Sequence, residues 1–114
     1  MSATANLEID RFQTYLRTVN CFADEANTVL LDVSGYTFTA QVRSYPGAAE
    51  VLHEIVIDVT QAAAGIIGIE IDLSDGALPA GHYWWDLRAI DPDSHADYWL
   101  RGTVKVSEPV TRPA

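Results

Sequence analysis

Apolar and polar side chains alternate with a period of two through much of this chain, and this alternation restricts its fold more than any other sequence feature. In the segment 36–43, YTFTAQVR, one face receives Tyr36, Phe38, Ala40 and Val42. The intervening Thr, Gln and Arg residues fall on the other face, which is the pattern of a half-buried β-strand. The turn-forming residues 44–47, SYPG, then end this strand.

Two later segments alternate in the same way and predict two more strands. They are 51–59, VLHEIVIDV, with Val51, His53, Ile55, Ile57 and Val59 on one face, and 66–73, IIGIEIDL, with Ile67, Ile69, Ile71 and Leu73 on one face. The inward faces of all these strands, together with the hairpin described next, supply the expected core: Tyr36, Phe38, Val42, Ile69, Tyr83, Trp85, Leu87 and Leu100.

The segment 82–90, HYWWDLRAI, contains two adjacent tryptophans, and alternation sends them to opposite faces of a strand. Trp85 is then a core residue and Trp84 an outward one. The segment 97–106, DYWLRGTVKV, is the expected partner strand after the loop 91–96. Pairing Ile90 with Asp97 would set favourable pairs opposite one another: Arg88 with Trp99, Asp86 with Arg101, Leu87 with Leu100, and Trp85 with Gly102.

The secondary structure of the first thirty residues is ambiguous, because LEIDRFQTYLRTVNCF fits either helical spacing or two short strands. We favour strands, since Tyr, Thr, Val and Phe suit a pleated surface and no clear helix cap is present. The segment 23–27 is then a turn, 28–31 a short strand and 32–35 a second turn. Tyr83 follows the Pro-Ala-Gly turn and is expected to donate its hydroxyl to upstream backbone, as in a tyrosine corner.

The predicted fold is an all-β, immunoglobulin-like antiparallel sandwich of about seven strands. With 114 residues the chain is long enough for one core, so we expect a single domain over 1–114 with extended segments at 1–6 and 107–114. No long helix is required anywhere.

The charge balance argues against several classes of partner. Sixteen Asp and Glu residues stand against seven Lys and Arg, a formal net charge of −9, and the basic residues form no run along the sequence. Binding to nucleic acid or to an anionic membrane is therefore not expected. No apolar stretch is long enough for a membrane helix, and the N-terminus does not read as a secretory signal, which indicates maturation in a cytoplasm.

The residues that carry chemistry do not form a recognisable catalytic or metal-binding pattern. Cys21 is a lone thiol and is expected to be a small buried side chain. His53, His82 and His95 lack metal-ligand spacing. The loop DPDSHAD resembles part of a calcium loop but lacks its central glycine and distal glutamate. We therefore expect no enzymatic activity, no catalytic residue, no metal and no cofactor.

The outward aromatic residues are the strongest candidates for a binding surface. Trp84 and Trp99 are expected to lie together on the outer face, with Arg88 and Arg101 beside them. Exposed aromatic and arginine side chains are typical of protein interfaces, and aromatic rings can also stack on sugars. A third possibility is that another part of the chain covers them.

Four segments in order resemble a known family: LLDVSGYTFTAQVRSYPG, IVIDVTQAAAGIIGIEI, LPAGHYWWDLRAIDPD and WLRGTVKVSEPVTR. They resemble the small immunoglobulin-like β-sandwich virion proteins of tailed bacteriophages, and the N-terminal attachment domain of baseplate upper proteins, over about residues 28–112. These relatives tend to have a glycine turn near the first strand, where this chain has Asp10-Arg11-Phe12. The pairing of the first strand is therefore left open.

The resemblance implies a virion component, made in the host cytoplasm, that binds other virion proteins at the tail or baseplate. Repeated copies in a symmetric assembly would follow from virion symmetry. A head decoration protein that cements capsomers is an alternative within the same particle. A host-glycan-binding module that uses Trp84, Trp99 and the neighbouring acidic loop is an alternative from a different class.

Overall fold

The computed structural model describes residues 3–22 and 29–111, and this part of the chain is almost entirely β-structure. One short 3₁₀ turn, Ala62–Ala64, precedes β6. The strands are β1 (Ala3–Thr4), β2 (Leu7–Asp10), β3 (Thr14–Asn20), β4 (Thr37–Arg43), β5 (His53–Asp58), β6 (Ile66–Asp72), β7 (Gly81–Ile90) and β8 (Ala96–Ser107). The predicted all-β class is confirmed. No helix in these residues is long and apolar enough to cross a membrane.

The strands form one hydrogen-bonded path in the order β1-β8-β7-β4-β5-β6-β3, and β2 also pairs with β8. The path curls at β5, whose first half pairs with β4 and whose second half pairs with β6. The pairs β4–β7 and β7–β8 and both pairs of β6 are antiparallel. The expectation of a wholly antiparallel arrangement is wrong at the N-terminus, because β1 and β2 run parallel to β8. No hairpin joins the first strands to the last one, so no tight turn imposes an antiparallel direction.

The buried residues follow the predicted alternation. Four of the expected core residues are almost inaccessible to solvent: Val42, Ile69, Trp85 and Leu87. The other four are partly buried and pack against this cluster: Tyr36, Phe38, Tyr83 and Leu100. Apolar side chains from β2 and from β4 to β8 therefore share one core, which fixes the opposite face of β4, β7 and β8 as the outer one.

The predicted hairpin register holds for part of β7 and β8 and then shifts. Asp86 pairs with Arg101, Leu87 with Leu100 and Trp85 with Gly102, as expected. Beyond Leu87 the register moves by one residue, so that Arg88 faces Tyr98 and Ile90 faces Ala96. The predicted pairing of Arg88 with Trp99 is therefore wrong. Trp99 is the extra residue of a β-bulge, which turns its side chain to the other face of the sheet.

Gly102 lies where the N-terminal segment crosses the β7–β8 pair. A Cβ atom on Gly102 would lie 2.1 Å from the carbonyl oxygen of Ala5, a distance that real structures do not allow. The indole nitrogen of Trp85 donates a hydrogen bond of 2.7 Å to that same oxygen. The absence of a side chain at Gly102 therefore allows the link between β1 and β2 to reach the core tryptophan.

The N-terminal strands and the tyrosine corner agree with the sequence predictions, whereas the described residues of the expected strand at 28–31 form only a single bridge. β2 and β3 occupy the segment that was read as two strands. The expected turn at 23–27 lies outside the described residues. Of the expected strand at 28–31, the described residues show one isolated bridge, between Leu30 and Phe22. Tyr83 donates its hydroxyl hydrogen to the carbonyl oxygen of Pro79 at 2.6 Å, which confirms the tyrosine corner.

The turn between β2 and β3 has an unusual backbone conformation at Phe12. Phe12 has φ +72°, a left-handed conformation that glycine adopts without strain and phenylalanine rarely adopts. Its ring packs closely against Gly76, and the Arg11 guanidinium lies 4.9 Å from the ring centroid. Arg11 also donates two hydrogen bonds to the carbonyl oxygen of Gly76. These contacts hold the turn in its unusual conformation.

Candidate binding groove

The outer face of β4, β7 and β8 carries three rows of polar and aromatic side chains. The register places Thr39 beside Arg88 and Tyr98, Gln41 beside Asp86 and Arg101, and Arg43 beside Trp84 and Thr103. Each row contributes one side chain from each strand, because the strands are in register and every second residue faces outward. We call this face, together with the residues that wall it, the outer groove.

The loop that follows β4 forms a wall of the outer groove. Tyr45, Pro46 and Gly47 line its edge, and Tyr45 is 60% exposed. The groove encloses about 410 Å³ and is open to solvent along much of its length. This volume is within the range of about 300–1,000 Å³ that is typical of ligand sites.

Arg43 ties the loop to the floor of the groove. Its guanidinium donates hydrogen bonds to the carbonyl oxygen of Ala48 and, at 2.9 Å, to the side-chain oxygen of Gln41. Gln41 in turn donates to the carboxylate of Glu54 at 3.1 Å. These bonds fix the wall and the floor relative to each other before any partner binds.

Asp86 is the acidic residue at the centre of the groove floor. Its partial burial raises the pKa of the carboxyl above the ordinary aspartate value. The guanidinium groups of Arg101 and Arg43 lower this pKa but offset only part of the effect of burial. The floor therefore combines a poorly solvated carboxyl with three arginines, which leaves the groove positively charged when Asp86 is ionised.

Trp84 and Tyr98 are the exposed aromatic residues of the sheet surface in this groove. Trp84 is 43% exposed and Tyr98 is 40% exposed. The Arg101 guanidinium lies 6.0 Å from the centroid of the Tyr98 ring, at the limit of a cation–π contact. Trp84, Arg88 and Arg101 are thus the predicted interface residues that the structure brings together.

Trp99 does not belong to this groove, and the expectation that it lies beside Trp84 on the outer face is wrong. Its ring centroid is 5.5 Å from those of Tyr36 and Phe38, and all three rings pack against the core. The bulge that includes Trp99 reverses the alternation before Leu100. Tyr98, which strict alternation from the core residue Leu100 would turn inward, takes the outward place instead.

The loop between β7 and β8 contains the described group of residues closest to a metal-site arrangement. Potential ligand atoms of Asp91, Asp93 and His95 lie within 4.8 Å of one another. One Asp91 carboxylate oxygen already accepts hydrogen bonds from the backbone N–H groups of Asp93 and His95. These bonds lower the pKa of Asp91, the bond from His95 having the largest effect. The cluster is explained by the closure of its own loop.

Cys21 is buried, as expected, and burial raises the pKa of its thiol. A raised pKa lowers the population of the thiolate, which is the nucleophilic form. This environment is that of a structural cysteine.

Comparison with known proteins identifies no family for this chain. No family model matches it, and no curated protein matches it. Among solved structures, it is similar to a nucleoside hydrolase-related hypothetical protein from Saccharophagus degradans that is associated with carbohydrate metabolism. The two are 16% identical with a TM-score of 0.34, and the match covers 92% of this chain and 23% of the other. This chain therefore spans less than a quarter of that protein's length.

The sequence did not single out Arg43, Tyr45 or Tyr98 as binding residues, although all three line the groove. Arg43 was correctly placed on the polar face of its strand, but nothing in the sequence pairs β4 with β7. The outward position of Tyr98 was not predicted, because no glycine or proline marks the bulge in the sequence. Tyr45 is in a loop, where alternation gives no direction.

Proposed function

We propose that this chain is a non-enzymatic structural domain of a tailed-bacteriophage virion, in the tail or baseplate region, which binds neighbouring virion proteins through the outer groove. The four sequence segments that resemble virion β-sandwich proteins support the virion role. The all-β fold agrees with that resemblance, although many unrelated functions share such folds.

The main support for binding through this face is the set of residue types that line the groove. Trp84, Tyr98, Arg88 and Arg101 are of the three residue types most enriched among residues that dominate protein-interface energies. Their side chains rise from paired strands, so the backbone beneath them is already ordered when a partner binds. The hydrogen bonds of Arg43 to Gln41 and to the loop after β4 hold this floor in place.

The test replaces Trp84 by alanine in the phage that carries the chain. We expect the Trp84→Ala protein to fold and remain soluble but to be lost from purified particles, at less than a tenth of the wild-type amount by quantitative mass spectrometry. Leu16→Ala is the matched control, because Leu16 is 70% exposed on β3, at the far end of the strand path from the groove. Incorporation of Trp84→Ala at the wild-type level would exclude the groove as the attachment surface.

A head decoration protein remains a second candidate within the virion, since the same groove could bind capsomers. A host-glycan-binding module is the candidate from another class, and the exposed ring of Trp84 in the same groove as the polar Thr39 and Gln41 favours it. Glycan binding predicts a change in tryptophan fluorescence when host polysaccharide is added to the purified protein. That change should be lost in Trp84→Ala, and its absence from the wild-type protein would count against this candidate.

A further inference from the structure

The outer groove differs in charge from the rest of this acidic chain. Three of the seven Lys and Arg residues line it, namely Arg43, Arg88 and Arg101, but only one of the sixteen Asp and Glu residues, Asp86. Any surface that docks there with good complementarity must therefore bring carboxylates. A second copy of this chain can supply carboxylates from outside its groove, because its net charge is −9.

Two of the three groove arginines are available to an incoming carboxylate. Arg43 is held by its hydrogen bonds to Ala48 and Gln41. Within residues 3–22 and 29–111, Arg88 and Arg101 make no hydrogen bond or close ion pair through their guanidinium groups. Guanidinium groups bind carboxylates with paired, charge-assisted hydrogen bonds, so these two side chains form a site for an acidic segment.

The loop 91–95 is an acidic segment of suitable form. It is the tip of the β7–β8 hairpin, and its residue Asp93 is exposed to solvent. The carboxylate of Asp91 accepts backbone hydrogen bonds of 2.9 Å and 2.8 Å, and the backbone of Asp91 and His95 is also paired. A loop that is already ordered loses little entropy when it binds.

We propose that the outer groove of one copy binds the 91–95 loop of a second copy, with the Asp93 carboxylate between the guanidinium groups of Arg88 and Arg101. This inference rests on the proposed function, since it names one partner for the same groove. Each copy carries both the groove and the loop, so two copies related by a two-fold axis exchange loops reciprocally and close as a dimer. Repulsion between the two acidic bodies is largely screened beyond about 8 Å at physiological ionic strength, while the contacting charges still attract.

The experiment is a charge exchange followed by sedimentation equilibrium at physiological ionic strength. The wild-type protein is expected to self-associate. The groove variant Arg88→Glu with Arg101→Glu, and the loop variant Asp93→Lys, are each expected to weaken association at least tenfold. An equimolar mixture of the two variants is expected to recover it, because the exchanged charges restore both contacts. Arg17→Glu, an exposed arginine on β3, is the control that should associate like the wild type.

Three results would overturn the inference: a wild-type protein that stays monomeric, variants that associate like the wild type, or a mixture that stays monomeric. Circular dichroism of each variant establishes that the fold is kept. The failure of this inference is distinct from that of the proposed function. A monomeric protein that is still found in particles rejects the loop-in-groove contact alone, whereas absence from particles rejects the virion role.

Discussion

At the scale of single residues, strand alternation places one of the two adjacent tryptophans in the core and the other on the surface. Trp85 is 3% exposed and donates its indole hydrogen to Ala5, whereas Trp84 is 43% exposed on the outer groove. Both places followed from the sequence, because the inward and outward phases of β7 are fixed by its apolar pattern. The crossing of Ala5 over Gly102 was not foreseen, since no local pattern connects residues so distant in sequence.

The two tryptophans therefore predict opposite effects on stability. Trp85→Ala should lower the free energy of unfolding by about 3–5 kcal/mol, because it leaves a large cavity in the core. Trp84→Ala should change it by less than about 1 kcal/mol, because the side chain is largely on the surface. Urea denaturation of both variants measures the difference. Equal effects would show that the two phases of β7 are not distinct.

Asp86 predicts a pH dependence of the opposite sign to that of most carboxyl groups. Its pKa is raised in the folded protein, mainly by burial, so the folded state binds this proton more readily than the unfolded state. Its contribution to stability is therefore complete below the ordinary aspartate pKa and is lost as the pH rises from there through the raised pKa of the folded protein.

The corresponding substitution is Asp86→Asn, which removes the partly buried charge and keeps the shape of the side chain. We expect this variant to be more stable than the wild type at pH 7, and the difference to shrink as the pH falls through the raised pKa of Asp86 toward the ordinary aspartate value. Urea denaturation across this pH range measures it. A variant that is less stable at pH 7 would show that attraction to Arg101 and Arg43 outweighs the cost of burial.

At the scale of the elements, the strands were predictable but their exact pairing was only partly so. The alternating segments correctly predicted the strands β4, β6 and β7. They also predicted the β7–β8 pairing from Trp85 with Gly102 to Leu87 with Leu100. The shift beyond Leu87 could not be predicted, because a bulge is determined by packing across strands. Here the packing is that of Trp99 against Tyr36 and Phe38. The division of β5 between two partners likewise depends on the curl of the whole sheet.

The bulge predicts that Trp99 contributes to stability and not to the outer groove. Trp99→Ala should lower the free energy of unfolding by about 2 kcal/mol or more, because the ring packs against two other aromatic side chains. Tyr98→Ala is the matched control on the outward side of the same strand and should have a smaller effect. Thermal denaturation of both variants tests this order, and the reverse order would place Trp99 on the surface.

At the scale of the whole molecule, charge and topology together favour a role in assembly. The basic groove gathers arginines from three strands that are separated in sequence, so it was not visible as a basic run along the chain. Its supporting hydrogen bonds, between Arg43, Gln41 and the loop that follows β4, give it a fixed shape. A rigid basic groove with aromatic walls on an acidic domain is suited to repeated, specific contacts between proteins.

The most direct test of the proposed virion role is the copy number of the chain in purified phage particles. Quantitative mass spectrometry against the major capsid protein gives this number. The account predicts a small number of copies, in multiples of three or six, as the symmetry of a tail or baseplate requires. Hundreds of copies would indicate a head decoration or tail-tube protein instead, and complete absence from the particle would contradict the virion role.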